Sequence, residues 1–187
     1  MKILVIDIET TGFDHVDDCI VEIGMVILDL ETGCMTPTFH QLVKEDHLTF
    51  SKSESWIFQN SDLKYVDVLH AGKLDINTLQ GYFSMFPVTA WNCDFDFGFL
   101  ESRGLKLNSL PCPMKISSNY FKLPHKNGCG LSKWPSVQEA WDSLFTAPYV
   151  EKHRGLDDAL HEARIIWELH KKGIYKVDER MVFKNDD

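Results

Sequence analysis

Apolar residues run almost unbroken through positions 2–8 and again through 20–30, the pattern of strands covered on both faces. A third stretch, 35–43, follows the turn Glu31-Thr32-Gly33, so the second and third strands form a hairpin. The period then changes. Helical spacing governs 63–71, closed by Gly72, and 76–86, where Ile76, Leu79, Tyr82, Phe83 and Phe86 share a face. Positions 87–91 form a short strand, and Asp94 is placed to cap a helix that ends near Gly104. Pro111, Pro113, Pro124, Gly128, Gly130 and Pro135 then predict mostly irregular chain with one short strand. Helices resume over 136–145 and 156–171, and the tail beyond Gly173 shows no period. A hairpin followed by strands alternating with helices predicts an α/β fold with a mixed central β-sheet flanked by helices. We expect one domain over 1–175 and a C-terminal tail over 176–187.

Composition narrows the class. The 187 residues suffice for one sizeable core, and 44% hydrophobic with 25% charged residues excludes a disordered or fibrous chain. Five cysteines, odd in number and without a C-x-x-C pair, argue against a disulfide framework or zinc ribbon and for a reducing cytoplasm. No apolar run reaches the roughly 20 residues of a membrane span, and the short apolar start leads to no signal-peptide cleavage site. A net charge of −9 speaks against nucleic acid until its distribution is considered. Between Glu101 and Glu139 there is no acid, while Arg103, Lys106, Lys115, Lys122, Lys126 and Lys133 supply positive charge. Tyr120, Phe121 and Trp134 interleave with these lysines, the mixture that tracks a single strand by charge and stacking. Trp134, beside Pro135, is equally compatible with a place in the core.

The carboxylates give the chemistry. Asp7 and Glu9 lie two apart on the first strand, projecting from one face with Cα atoms roughly 6.6 Å apart. Spacing alone leaves two readings, solvated loop acids or a buried pair that needs neutralising. On the last helix, stepping about 100° per residue puts Leu160, Ala163, Ile166 and Trp167 in a broad apolar arc. Asp158 and Glu162 fall inside that arc, whereas Asp157, His161, Arg164 and Glu168 fall on the wet side. Asp158 is therefore inward and needs a partner. Asp96, in the first turn after the fourth strand, either complements the helix dipole at the surface or points into the crevice at the strand end. His153, just before the last helix, reads by itself as a cap or surface residue.

Taken together, Asp7-Ile8-Glu9-Thr10-Thr11-Gly12, then Asn92-x-x-Phe95-Asp96, then His153-Arg154-Gly155-Leu156-Asp157-Asp158-Ala159 resemble the three motifs of proofreading-type 3′→5′ exonucleases. The match is to the DEDDh subgroup, which includes the epsilon subunit of DNA polymerase III. The resemblance implies the ribonuclease H-like exonuclease fold and two Mg²⁺ or Mn²⁺ ions held by Asp7, Glu9, Asp96 and Asp158. It implies His153 as general base, its ordinary pKa of about 6.5 suiting proton transfer near neutrality. It also implies that the backbone amides of Thr10, Thr11 and Gly12 grip the terminal nucleotide and that Asn92 borders its path. Phe13 becomes a wedge against the last bases, with a core position as the alternative. Lys122 and Lys126 are the candidates for phosphate contact. Gly155 departs from the usual Ala of H-x-A-x-x-D, for which looser packing is the expectation. The implied substrate is the 3′ end of nucleic acid, with single-stranded DNA favoured over RNA, and a polymerase partner is unreadable. A zinc site of His153, Asp157 and His161, a non-catalytic nucleic-acid module and a ribonuclease-H-like endonuclease are the rival readings.

Overall fold

A computed structural model describes residues 1–125 and 132–177; Lys126 and the tail from 178 onward lie outside the described residues. Strands β1 (Lys2–Thr10), β2 (Ile20–Asp29), β3 (Met35–Leu42) and β4 (Val88–Thr89) form one sheet in the order β3-β2-β1-β4. The first three are antiparallel and β4 lies parallel to β1, which makes the sheet mixed as the pattern predicts. Gly33, at φ 73°, supplies the left-handed residue of the hairpin turn. The short β4 occupies only the middle of the run expected over 87–91.

Alternation along β1 decides which side receives what. Ile3 and Val5 pack with Val26 and Leu28 of β2 beneath the long helix α7 (Gly155–Lys171). Leu4, Ile6 and Ile8 turn to the other face, against α3 (Ile76–Met85) and α4 (Cys93–Ser102). Asp7 and Glu9 continue the parity of Ile3 and Val5, so both acids project toward α7. Ile165, Ile166 and Leu169 on α7 are fully buried. Each such side chain stabilises by roughly 1.5–3 kcal/mol, and the same inward face carries Asp158 and Glu162.

Between β3 and α3 the chain forms a 3₁₀ turn (Phe50–Glu54) and two short helices, α1 (Trp56–Asn60) and α2 (Tyr65–Leu69), where the sequence predicted one helix over 63–71. The expected irregular window contains a helix, α5 (Pro113–Phe121). Pro113 stands at its first turn, where the missing N–H costs nothing, so the prolines mark a helix start and not a break. Helix α6 (Val137–Leu144) starts at a capping box of Ser136 and Glu139. Asn92 occupies the N-cap position of α4, two residues before the expected Asp94, and makes no side-chain capping hydrogen bond. Tyr175 is fully buried against the α7 side of the core. Among the described residues no helix is long and apolar enough to cross a membrane.

Candidate active site

The end of β1, the start of α4 and the first two turns of α7 meet at one place. Asp96 is 4% exposed and Asp158 2%, which settles both as inward. Asp96 Oδ1 accepts a hydrogen bond from the Ile8 amide at 3.2 Å, fixing α4 against β1 between the two motif acids. Asp158 Oδ1 accepts from the Tyr149 hydroxyl at 2.7 Å and Oδ2 from the Arg154 amide at 2.8 Å. Asp157 behaves differently, with its Oδ1 held by Lys152 at 2.9 Å near the surface.

Glu162, one turn beyond Asp158, is a fifth acid that sequence reasoning placed inward without giving it a role. It is 3% exposed, and its Oε2 accepts from the Trp91 amide at 3.1 Å. Glu151 is a further neighbour, raised to about 7 by burial and then by the charge of Asp158.

These groups repel one another in a desolvated space. Burial first, then Glu162, Glu9, Asp96 and Asp158, holds the Asp7 carboxyl well above the carboxylate range. Burial, followed by Asp158 and Glu22, does the same to Glu9. Burial lifts Asp96 to about 8 against the opposing Ile8 hydrogen bond, and burial with Asp96 and Asp158 raises Glu162. Asp7 Oδ2 is buried without a hydrogen-bond partner. An orphaned oxygen inside a cluster of acids fits a hard divalent cation, which prefers oxygen ligands and would cancel the repulsion.

His153 joins this cluster. One ligand atom each of Glu9, His153 and Asp158 lies within 4.8 Å of the others. The zinc trio of His153, Asp157 and His161 is not a group the described residues bring together; Asp157 and His161 gather with Asp158 instead. His161 stacks on Tyr149 at 4.1 Å between ring centroids. His153 has φ 55°, a left-handed conformation costing a non-glycine residue about 1–2 kcal/mol, and its ring meets Trp56 edge-on at 4.7 Å.

The loop after β1 differs in detail from expectation. The Thr11 amide donates to the Cys19 carbonyl at 2.9 Å, so it is committed to the protein and not free for a nucleotide. Thr11 Oγ1 accepts from the Cys19 amide and donates to Asp18, and Thr10 Oγ1 donates to the Gly12 carbonyl. The two threonines thus shape the turn. A Cβ on Gly12 would collide with the Asp18 carboxylate. Phe13 is 88% exposed, which removes the core alternative, and touches only the edge of the Phe95 ring among the aromatic contacts described. Asn92 is exposed, and its carbonyl accepts from the Phe95 and Asp96 amides.

Gly155 reverses its expectation. A methyl there would sit 2.9 Å from the Gly24 amide nitrogen and 3.2 Å from the Asp7 carbonyl. The missing Cβ permits a tighter approach of α7 to the sheet, not a looser one. In the basic window Arg103 is clamped on Glu45 at 2.7 Å, Lys115 on Asp94 at 2.5 Å and Lys133 on Glu139 at 2.6 Å. Lys122 is exposed at the left-handed C-cap of α5. Trp134 is 54% exposed, with the Lys115 ammonium 5.3 Å from its ring centroid, so it is not a core residue.

A mixed sheet that delivers paired acids from its central strand to acids on two helices defines the ribonuclease H-like exonuclease class. The exonuclease family model RNase_T matches residues 4–166, and the chain belongs to that family. No curated protein sequence matches it. The nuclease domain of 3′hExo, a DEDDh family member bound to rAMP, superposes with a TM-score of 0.66 at 18% identity, covering 92% of this chain and 93% of that one. Pop2p of S. pombe, in a form with Mg²⁺ and Mn²⁺ bound, gives 0.61 at 17% identity over 96% and 87%. E. coli Exonuclease I in complex with dT13 gives 0.67 at 11% identity over 90% of this chain and 40% of its own. At these identities the superpositions establish a shared fold.

Proposed function

We propose that this protein is a metal-dependent 3′→5′ exonuclease that releases 5′-mononucleotides from single-stranded DNA. The observation that carries the reading is the orphaned Asp7 oxygen amid Glu9, Asp96, Asp158 and Glu162, with His153 at the rim of the same cluster. Asp7, Glu9, Asp96 and Asp158 would hold two Mg²⁺ or Mn²⁺ ions. Such ions, when bound, activate the attacking water and stabilise the leaving oxygen of an in-line displacement. His153 accepts the proton of that water on a ring nitrogen as oxygen attacks the terminal phosphorus. The bond from phosphorus to the 3′ oxygen of the penultimate nucleotide breaks, and that oxygen takes up a proton. Phe13, exposed beside Phe95, offers a stacking face to the terminal bases. The Gly12 amide and Asn92 remain the polar contacts proposed for the terminal nucleotide.

The test is digestion of 5′-labelled single-stranded DNA and RNA side by side, with Mg²⁺ and with excess EDTA. We expect a ladder shortening from the 3′ end, faster on DNA, with no product in EDTA. Faster digestion of RNA would make the protein an exoribonuclease. Undiminished activity in EDTA would sink the metal-dependent reading, and cleavage of a covalently closed circle would favour an endonuclease.

Lys122 and Lys126 are proposed to contact the strand beyond the terminal nucleotide. Replacing both by Ala should weaken binding of a long strand more than of a dinucleotide. It should also flatten the slope of log affinity against log salt by up to about 1.4. Titrations in Ca²⁺ at several salt concentrations measure this, and an unchanged slope removes the two lysines from the substrate path.

A further inference from the structure

We infer that Arg154, which no motif assigns, is the positioning residue for His153. The inference rests on the reading of His153 as general base.

Arg154 is the residue between His153 and the first turn of α7, and its guanidinium is held at three points. Nε lies 2.9 Å from Glu22 Oε2 and Nη2 lies 2.9 Å from Glu22 Oε1, a bidentate fork on one carboxylate. Nη1 donates to Asp62 Oδ1 at 2.7 Å. Glu22 is a well-fixed anchor, for its side chain is 1% exposed and projects from β2 opposite Glu9 on β1. The same carboxylate takes a 3.3 Å contact from the Gly155 amide, and His40 Nε2 lies 2.6 Å from it. Asp62 stands just beyond α1, the helix whose Trp56 meets the His153 ring.

Arg154 therefore ties the segment carrying the base to the central sheet on one side and to the end of α1 on the other. His153 sits in a left-handed conformation that a histidine adopts only where its surroundings over-determine it. The described neighbours supply that constraint in two parts. Trp56 bounds the ring, and the Arg154 fork fixes the main chain one residue further on. A planar guanidinium forked on the buried Glu22 carboxylate, with the exposed Asp62 on its third nitrogen, holds direction as well as charge, which an ammonium cannot do.

Replacement of Arg154 by Ala leaves Glu22 buried without its cation, so that variant is prone to unfold. Arg154→Lys keeps the charge against Glu22 and loses the fork and the span to Asp62. Kinetics on a labelled oligonucleotide, each variant assayed well below its own melting temperature, would compare Arg154→Lys, His153→Ala and the double variant. We expect Arg154→Lys to lower kcat about tenfold with KM within about twofold, since misplacing a reacting group costs at least this much. In the His153→Ala background the same change should alter kcat by less than about twofold. A parent-like kcat for Arg154→Lys overturns the inference. So does an equal loss in both backgrounds, which would place the effect on Asp158, whose Oδ2 accepts the Arg154 amide. Parent-like activity of His153→Ala is a separate result, and it refutes the general-base reading itself.

Discussion

Asp158→Asn is expected to lower kcat by at least about a hundredfold, while Asp157→Asn stays within about twofold of the parent. Removing a group that merely supports a metal ligand costs roughly 10–100-fold, so losing a ligand charge should cost at least the upper value. The two aspartates are adjacent in sequence and differ in environment, Asp157 being half-buried with one oxygen on Lys152 and the other buried without a hydrogen-bond partner. Asp158 is 2% exposed among the other acids, whereas Asp157 meets Lys152 near solvent. Stability separates chemistry from misfolding here. Asparagine at 158 removes one of several mutually repelling charges, so the metal-free variant should melt no lower than the parent, by circular dichroism. Equal activity losses in the two variants would show that the wrong face of α7 has been assigned to the site.

Metal-free protein should lose thermal stability as pH rises from 5 to 8, and divalent ions should restore more at pH 8 than at pH 5. The sign follows from the raised carboxyl groups. Asp7, Glu9, Asp96 and Glu162 keep protons in the folded state that the unfolded chain releases near pH 4. Their raised pKa values take away no stability below that pH and increasingly more as pH rises, until each folded-state pKa is passed, about 8 for Asp96. Carboxylates with lowered pKa, such as Asp18 and Glu139, act in the opposite sense but finish doing so below this window. Mn²⁺ at about a hundred times its dissociation constant would add about 2.7 kcal/mol, roughly 5–10 °C for a chain of this size. Melting curves of EDTA-treated protein at several pH values, with and without Mn²⁺, measure both trends. A midpoint rising toward pH 8 without metal would contradict the repelling cluster.

The sheet and the first-rank acids were legible because their signals are periodic. A strand buried on both faces shows as an apolar run, and inward Asp158 shows as a break in the apolar arc of α7. The same arc contained Glu162, but a helix period tells only that a residue points inward, not which backbone amide it will meet. Helix α5 was missed because Pro111 and Pro113 resemble breakers unless the first turn is already located. The N-cap of α4 falls at Asn92 and not at the expected Asp94, because both residue types suit the position and lie two apart. The Thr11 amide bonds across the loop to Cys19 and the Glu22 anchor meets Arg154, 132 positions away, and neither contact shows in a periodic pattern. Gly155 misled for a related reason: whether a missing methyl leaves a gap depends on what lies opposite, and Gly24 is 131 positions away in the chain.

That pair of glycines has a consequence for how the site tolerates change. A Cβ on Gly24 would collide with the Gly155 carbonyl group and the Leu156 nitrogen, and Gly24 stands opposite Asp7 in the β1–β2 register. The spacing between the strand acids and Asp158 is thus gauged by main chain resting on main chain. Side chains absorb a mutation by choosing another rotamer, but a peptide plane has no such alternative. Substitutions in the surrounding core should therefore alter melting temperature long before they alter the geometry of catalysis. A single methyl at position 24 should do the reverse, acting as a shim that opens the acid cluster while leaving most of the core untouched.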